Sequence, residues 1–187
     1  MQRAMAEARL RILTTDALSP SELGAIRALL EHAFGSDDDE RFTDHDWEHA
    51  VGGCHFVLDL DGQIVAHASV VERVLHVAER PLSTGYVEAV ATAPAMQGAG
   101  HGSRVMEAVG AHIAERFELG ALGTGRHGFY QRLGWRTWRG PSFVRTEHGP
   151  RRTPDDDGYI LVLATPSSPE LDLGAPISCD WRPGDAW

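Results

Sequence analysis

The segment that decides the fold is Gln97-Gly98-Ala99-Gly100-His101-Gly102. It stands between an apolar, strand-like run closed by Pro94 and a stretch carrying Val105, Met106, Val109 and Ile113 at helical spacing. Alternating glycines at such a junction let the backbone turn tightly and leave N–H groups bare beside a helix N-terminus. Those groups and the positive end of the helix dipole form a cradle for a phosphate or pyrophosphate. Two familiar phosphate loops do not fit. A P-loop needs Lys and then Ser or Thr after its last glycine, where this chain has Ser103 and Arg104. The dinucleotide fingerprint G-x-G-x-x-G needs a glycine where Ser103 stands. What remains is a diphosphate loop of another kind or an ordinary glycine-rich strand-to-helix turn.

The flanking pattern predicts the elements around the loop. Ala8 to Leu13 reads as a strand, and Pro20-Ser21-Glu22 opens a helix with Leu23, Ile26, Leu29, Leu30, Ala33 and Phe34 on one stripe, ended by Gly35. An acidic run, Asp37 to Glu40, reads as a solvated loop leading to a short helix around Trp47. Phe56 to Leu60, the turn Asp61-Gly62 and Ile64 to Val77 read as a hairpin, followed by a strand from Leu82 to Thr92. Beyond the loop and its helix come a strand at Leu119 to Leu122 and a short helix from Arg126 to Leu133 capped by Gly134. Two strands, Trp135 to Phe143 and Tyr159 to Leu163, are expected on either side of a loop at 149–158. The proline-rich end, about 166–187, is expected to be irregular, with a short strand at Ile177 to Cys179. The order β-α-α-β-β-β-α-β-α-β-β is that of a mixed α/β (α+β) domain.

Composition narrows the function classes. A chain of 187 residues suits one domain, 1–187, with a sizeable core. A net charge of −10 and a pI near 5.4 argue against a nucleic-acid partner and suit a cationic one, although such charge also serves solubility. Cys54 and Cys179 lie far apart and show no metal-ligand spacing, so neither a metal site nor a disulfide framework is expected. No stretch approaches the ~20 apolar residues of a membrane span, and Met1 to Arg11 lacks the apolar core of a signal peptide. A cytoplasmic location is expected.

The spacing Gln97-x-x-Gly100-x-Gly102 resembles the Arg/Gln-x-x-Gly-x-Gly/Ala loop of the GCN5-related N-acetyltransferases, and the element order places it after the fourth strand, as in that superfamily. Longer strings are similar to one branch, the aminoglycoside 2′-N-acetyltransferases. They include Asp46-Trp47-Glu48-His49, Ala66-His67-Ala68, Gly85-Tyr86-Val87-Glu88-Ala89-Val90-Ala91 and Leu119-Gly120-Ala121-Leu122. Further on are Tyr130 with Gly134-Trp135, Gly140-Pro141-Ser142, Arg152-Thr153-Pro154-Asp155-Asp156-Asp157-Gly158, and Cys179-Asp180-Trp181-Arg182-Pro183-Gly184-Asp185-Ala186-Trp187. The resemblance implies a mixed, mostly antiparallel central sheet flanked by helices, acetyl-CoA as cofactor, a homodimer, and acetylation of the 2′ amine of an aminoglycoside by direct attack in a ternary complex. The chain departs from better-known members in its charged loop, Ser36 to Arg41, and at Gly123-Thr124-Gly125-Arg126-His127. Kasugamycin-type drugs are therefore as plausible as gentamicin- or tobramycin-like ones.

Acetyl transfer needs a pyrophosphate site, a polarised thioester carbonyl, a neutral amine and a protonated leaving thiol. By resemblance, Gln97, Gly98, Ala99, Gly100, His101 and Gly102 hold the pyrophosphate, and the backbones of Val90 and Thr92 pair with the pantetheine arm. Glu88, a carboxylate in an apolar strand on the face of Tyr86 and Val90, is positioned to take the ammonium proton directly or through water. The alternative is a carboxylate on a solvent-facing strand edge or ion-paired to an arginine. His67 competes as a base but reads better as a core histidine bonded to backbone. Tyr130 is where the family places the phenol that protonates the thiolate; packing against Phe129 and Trp135 is the alternative. Substrate contacts fall to Asp46, Glu88, Ala89, Asp156, Asp185 and Trp187, the last through its ring and its carboxylate, with the segment at about 166–187 contributing to the cleft. Asp155 and Asp157 could instead stabilise their turn, and Trp181 could simply pack. Two other functions stay open: acetylation of another polyamine or a cell-wall amino sugar, and non-catalytic sequestration of acetyl-CoA or drug.

Overall fold

The computed structural model describes residues 8–35 and 41–187; the acidic run Asp37 to Glu40 lies outside them. The chain divides into two compact units, Met1–Val71 with Glu88–Val109, and Glu72–Val87 with Gly110–Trp187.

The first unit holds strand β1 (Ala8–Thr14), helices α1 (Pro20–Phe34) and α2 (Asp44–Ala50), strand β2 (Cys54–Leu60), most of β3 (Gln63–Val77), the end of β4 (Arg80–Thr92) and the start of α3 (His101–Arg116). Its strands run in the order β1-β2-β3-β4. The β2–β3 hairpin turns on Asp61 and Gly62, both at positive φ (51° and 81°), as a two-residue turn matched to strand twist requires. Helix α1 opens with a capping box: the Ser19 hydroxyl accepts from the Glu22 N–H, and the Glu22 carboxylate accepts from the Ser19 N–H at 2.8 Å. Arg11 donates to both Glu22 and Asp59 at 2.7 Å, tying the helix start to the β1–β2 pair. Of the predicted stripe, Ile26, Leu29 and Leu30 are buried and pack with Leu18, Phe42, Val57 and Ala91, with Leu23 and Ala33 partly buried against them; Phe34, at the last position of the helix, is exposed instead.

In the second unit the strand order is β6-β9-β5-β4-β3-β10-β7-β8. Its elements are β5 (Leu119–Gly123), α4 (His127–Gln131), β6 (Arg136–Thr137), β7 (Ser142–Thr146), β8 (Gly149–Arg152), β9 (Ile160–Ala164) and β10 (Ile177–Asp180). Two pairs, β4–β5 and β10–β7, are parallel; β5–β9, β6–β9, β3–β10 and β7–β8 are antiparallel. The expected mixed, mostly antiparallel sheet is the one observed.

Two expectations need correction. The run from Trp135 to Phe143 is not one strand: β6 pairs with β9 and β7 with β10 and β8. The break comes from the segment 172–176 docking on it. Arg139 and Gly140 both donate to the Leu173 carbonyl, the Trp138 indole donates to the Ala175 carbonyl at 2.9 Å, and a Cβ on Gly140 would lie 1.9 Å from that same oxygen. The loop at 149–158 is also partly regular. Its first four residues form β8, and Pro154–Asp156 form a single 3-10 turn. Among the described residues no helix is long and apolar enough to cross a membrane.

Candidate active site

In the first unit β4 leads, through a single 3-10 turn at Pro94–Met96, into the glycine loop. Gly98 and Gly100 sit at φ 79° and 83°, while a Cβ at either would meet nothing within 4 Å. Glycine is needed there for backbone conformation and not for room. The loop delivers its N–H groups to the start of α3, 16 residues long, whose first turn is marked by Arg104 N–H donating to the Gly100 carbonyl at 3.0 Å. The Gln97 side chain donates back to the Thr92 carbonyl at 3.3 Å, closing the loop onto the strand end. An exposed, left-handed glycine pair at the N-terminus of a long helix fits a diphosphate.

Ala89, between Glu88 and Val90, has φ 51°. For an alanine this left-handed conformation costs about 1–2 kcal/mol. The simple alternation that put Tyr86, Glu88 and Val90 on one face presumes an unbroken strand, and Ala89 breaks it. The surroundings hold the kink. The buried His67 donates from Nδ1 to the Ala89 carbonyl at 2.8 Å, and the Ser69 hydroxyl donates to the Glu88 carbonyl at 3.4 Å. His67 is thus the backbone-bonded core histidine that the sequence favoured over a base; burial pushes its pKa down to about 3. Glu88 is half-buried, with its Oε1 shielded from solvent. Asp46 sits at the third position of α2, where its Oδ2 accepts from the N–H and the hydroxyl of Thr43 at 2.7 and 2.8 Å. Any ammonium that Asp46 receives must share the carboxylate with this cap.

The second unit carries the other candidates. Tyr130 is buried on α4, with Phe129 and Trp135 edge-on at 4.9 and 6.3 Å, and burial pushes its phenol up to about 12. Asp156 and Asp185 lie within electrostatic reach of each other. The pKa of Asp156 is raised, first by burial and then, against a hydrogen bond from Thr153, by the nearby charges of Asp185, Asp155 and Asp157. Asp157 has a different task. Its Oδ1 accepts from the Ser142 N–H at 3.0 Å and the Ser142 hydroxyl at 2.9 Å, and its carboxylate pairs with Arg152, which lowers its pKa to about 2. It stabilises its turn, as the sequence allowed.

The C-terminal tail is clamped. Arg73 donates to the carbonyls of Asp180 and Ala186, Arg182 donates to the Asp185 carbonyl, and the Trp187 N–H donates to Asp185 Oδ1. Both guanidiniums stack on Tyr86, 4.7 and 5.6 Å from its ring centre. The Trp187 ring, expected to be offered to substrate, is buried at 6% exposure; its terminal carboxyl carbon lies beside Gly123. Trp181, for which simple packing was the alternative, is 60% exposed. Sequence reasoning missed Arg73, and it missed that His55 and His67 are partners. The hairpin register carried the second signal: Val57 faces His67 and Ser69 faces His55, so the two rings are diagonal neighbours.

An acetyltransferase (GNAT) domain profile matches residues 14–138. The chain is 41% identical over 178 residues to the aminoglycoside 2′-N-acetyltransferase of Mycolicibacterium fortuitum, covering 93% of this chain and 89% of that one. Among solved structures it matches a GNAT family N-acetyltransferase (YhbS) from Escherichia coli in complex with CoA, with TM-score 0.63, 15% identity, and 96% and 93% of the two chains covered. It also matches a GNAT family acetyltransferase from Brucella melitensis in complex with acetyl-CoA, with TM-score 0.58, 19% identity, and 89% and 93% covered. Other matched structures are longer, and the chain spans about a third of them (33% and 34%). The chain belongs to the GNAT acetyltransferases and, within them, to the aminoglycoside 2′-N-acetyltransferase family.

Proposed function

We propose that this enzyme moves the acetyl group of acetyl-CoA onto the 2′ amine of an aminoglycoside by direct attack in a ternary complex, and so confers resistance to the drug. The observation that carries the reading is the sequence Glu88 to Gly102: a kinked strand end that leads into a left-handed glycine loop at the start of α3. Family membership and a relative named for that reaction stand beside it.

Each group has a physical task. The loop N–H groups and the α3 dipole hold the diphosphate. Val90 and Thr92 offer backbone groups to the pantetheine arm, and the β4–β5 pairing, Thr84↔Leu119 to Tyr86↔Ala121, stops short of them. Val90 N–H polarises the thioester carbonyl. Glu88 accepts the proton that the substrate ammonium must lose before it can attack. Tyr130 donates to the departing thiolate. Its phenol is a weaker acid than usual because burial penalises the phenolate, and the same burial penalises a thiolate beside it, so the donation stays feasible. Asp46, Asp156 and Asp185, with Ala89 and the Trp187 carboxylate, receive the ammonium and hydroxyl groups of the sugar. We read the enzyme as cytoplasmic and homodimeric.

Purified protein with acetyl-CoA and a panel of 2′-amino aminoglycosides, kasugamycin, polyamines and cell-wall amino sugars tests this. Thiol release is expected with the 2′-amino drugs, and tandem mass spectrometry is expected to put the acetyl group on the 2′ nitrogen. Faster turnover of a polyamine or amino sugar would replace the substrate reading. Binding without thiol release from any amine would replace the enzymatic one.

A further inference from the structure

Two buried histidines form an unbroken, one-directional hydrogen-bond chain that ends on the kink in β4. Ala89 O lies 2.8 Å from His67 Nδ1, His67 Nε2 lies 2.9 Å from His55 Nδ1, and His55 Nε2 lies 2.8 Å from the Thr15 hydroxyl. That hydroxyl accepts from the Gly52 N–H at 2.8 Å. A carbonyl only accepts, so the proton at the far end is on His67 Nδ1. Both rings are fully buried, which keeps each neutral with a single N–H. His67 Nε2 is then bare and accepts from His55 Nδ1–H; His55 Nε2 is bare and accepts from Thr15. The Thr15 hydroxyl also lies 3.4 Å from the Gly53 carbonyl, a longer contact than its 2.8 Å to His55 Nε2, and both tautomers follow from the carbonyl end of the series.

A chain that terminates on a carbonyl cannot hand a proton to Glu88, so a relay is ruled out. What it can do is fix an oxygen. Ala89 is the left-handed residue between the proposed base and the proposed carbonyl-polarising N–H, and its carbonyl direction sets where both neighbours point. We propose that His67, braced by His55 and Thr15, is a positioning residue of the acetyl transfer: it locks the Ala89 kink so that Glu88 and Val90 keep their working orientations. The brace reaches from the Val51–Gly53 turn that follows α2 to the strand residue beside the proposed base.

The proposal rests on the site reading above, and its test separates the two. In His67→Leu, which has no donor, kcat is expected to fall at least about tenfold and the Kd for CoA to rise several-fold, at a temperature where circular dichroism shows a folded chain. His67→Asn keeps an N–H at the Nδ1 position and is expected to restore kcat to within about threefold of wild type. A purely structural role would lower the melting temperature of both variants and leave the kcat and CoA affinity of the folded enzyme unchanged; that result overturns the proposal. Nitrogen NMR of the wild-type imidazoles gives a readout independent of any variant. Both rings are expected as Nδ1–H tautomers, and an Nε2–H tautomer at His67 overturns the assignment. Glu88→Gln controls for the parent reading: if it retains full activity, the base assignment fails, while the CoA affinity of His67→Leu still reports on the Val90 side.

Discussion

The Arg73 guanidinium holds the Ala186 carbonyl at 2.8 Å across 113 positions of sequence. With its second bond to Asp180 it fixes the last eight residues, and with them Asp185 and the terminal carboxylate. Arg73→Met removes both donors, each worth about 1 kcal/mol. The KM for the amine substrate is expected to rise about tenfold, while the KM for acetyl-CoA stays within about twofold. Steady-state kinetics with each substrate varied in turn checks this, and equal loss in both would count against a tail-positioning role.

Adjacent aspartates should behave oppositely. Asp157 is the acceptor for the buried Ser142 N–H, so Asp157→Ala leaves that donor unmet and is expected to cost about 1–3 kcal/mol in urea unfolding, with little change in KM. Asp156 pays for its partial burial near Asp185, and Asp156→Asn is expected to raise the amine KM with stability unchanged or slightly improved. A destabilised Asp156→Asn with normal KM would reverse the assignment.

Stability should fall between pH 7 and pH 5. Burial pushes His55 to about 4 and His67 to about 3, below the usual 6.5, so the unfolded chain takes up these protons first. Their contribution is complete above about pH 6.5 and is lost as pH falls toward the folded values; at pH 5 a histidine so depressed has lost about 2 kcal/mol. His112, also lowered by burial, adds to the same window. Glu22 and Asp157, both held at about 2, act in the same direction, but only below the ordinary carboxylate range near 4. Urea midpoints across this interval, in wild type and His67→Asn, are the measurement; a flat wild-type profile contradicts it.

Gly98→Ala keeps the room but not the conformation. At φ 79° the substitution is expected to cost about 1 kcal/mol and to raise the KM for acetyl-CoA, leaving the amine KM nearly unchanged. Titration calorimetry with CoA reads the loop directly.

Tyr130→Phe deletes only the hydroxyl of a ring already packed edge-on against Phe129 and Trp135. A fall in kcat of about a hundredfold with a nearly unchanged melting temperature is expected if the phenol is the proton donor. A normal kcat would leave it a packing residue.

Local pattern was enough for the parts of this protein that are local. Ser19 and Glu22 announce α1, Asp61-Gly62 sets the hairpin and its register, and Gly98 and Gly100 mark the loop, because capping, turn type and positive φ are decided within a few residues. The strand broken at Trp138–Pro141 was not legible, since what breaks it is the Leu173–Ala175 backbone more than 30 residues away. The same holds for the kink at Ala89. Nothing in Tyr86-Val87-Glu88-Ala89-Val90 signals a left-handed alanine, because the compensation comes from His67 on the neighbouring strand.

By itself the sequence determined the element order, the diphosphate loop, the family and the residue types available for chemistry. Tertiary structure decided their duties: which aspartate holds a turn and which lies half-buried beside another carboxylate, which arginine clamps the tail, and how two histidines brace one carbonyl. The physical reason is range. Backbone preference and hydrophobic period act between neighbours, whereas a buried donor takes whichever acceptor the folded chain brings within about 3 Å.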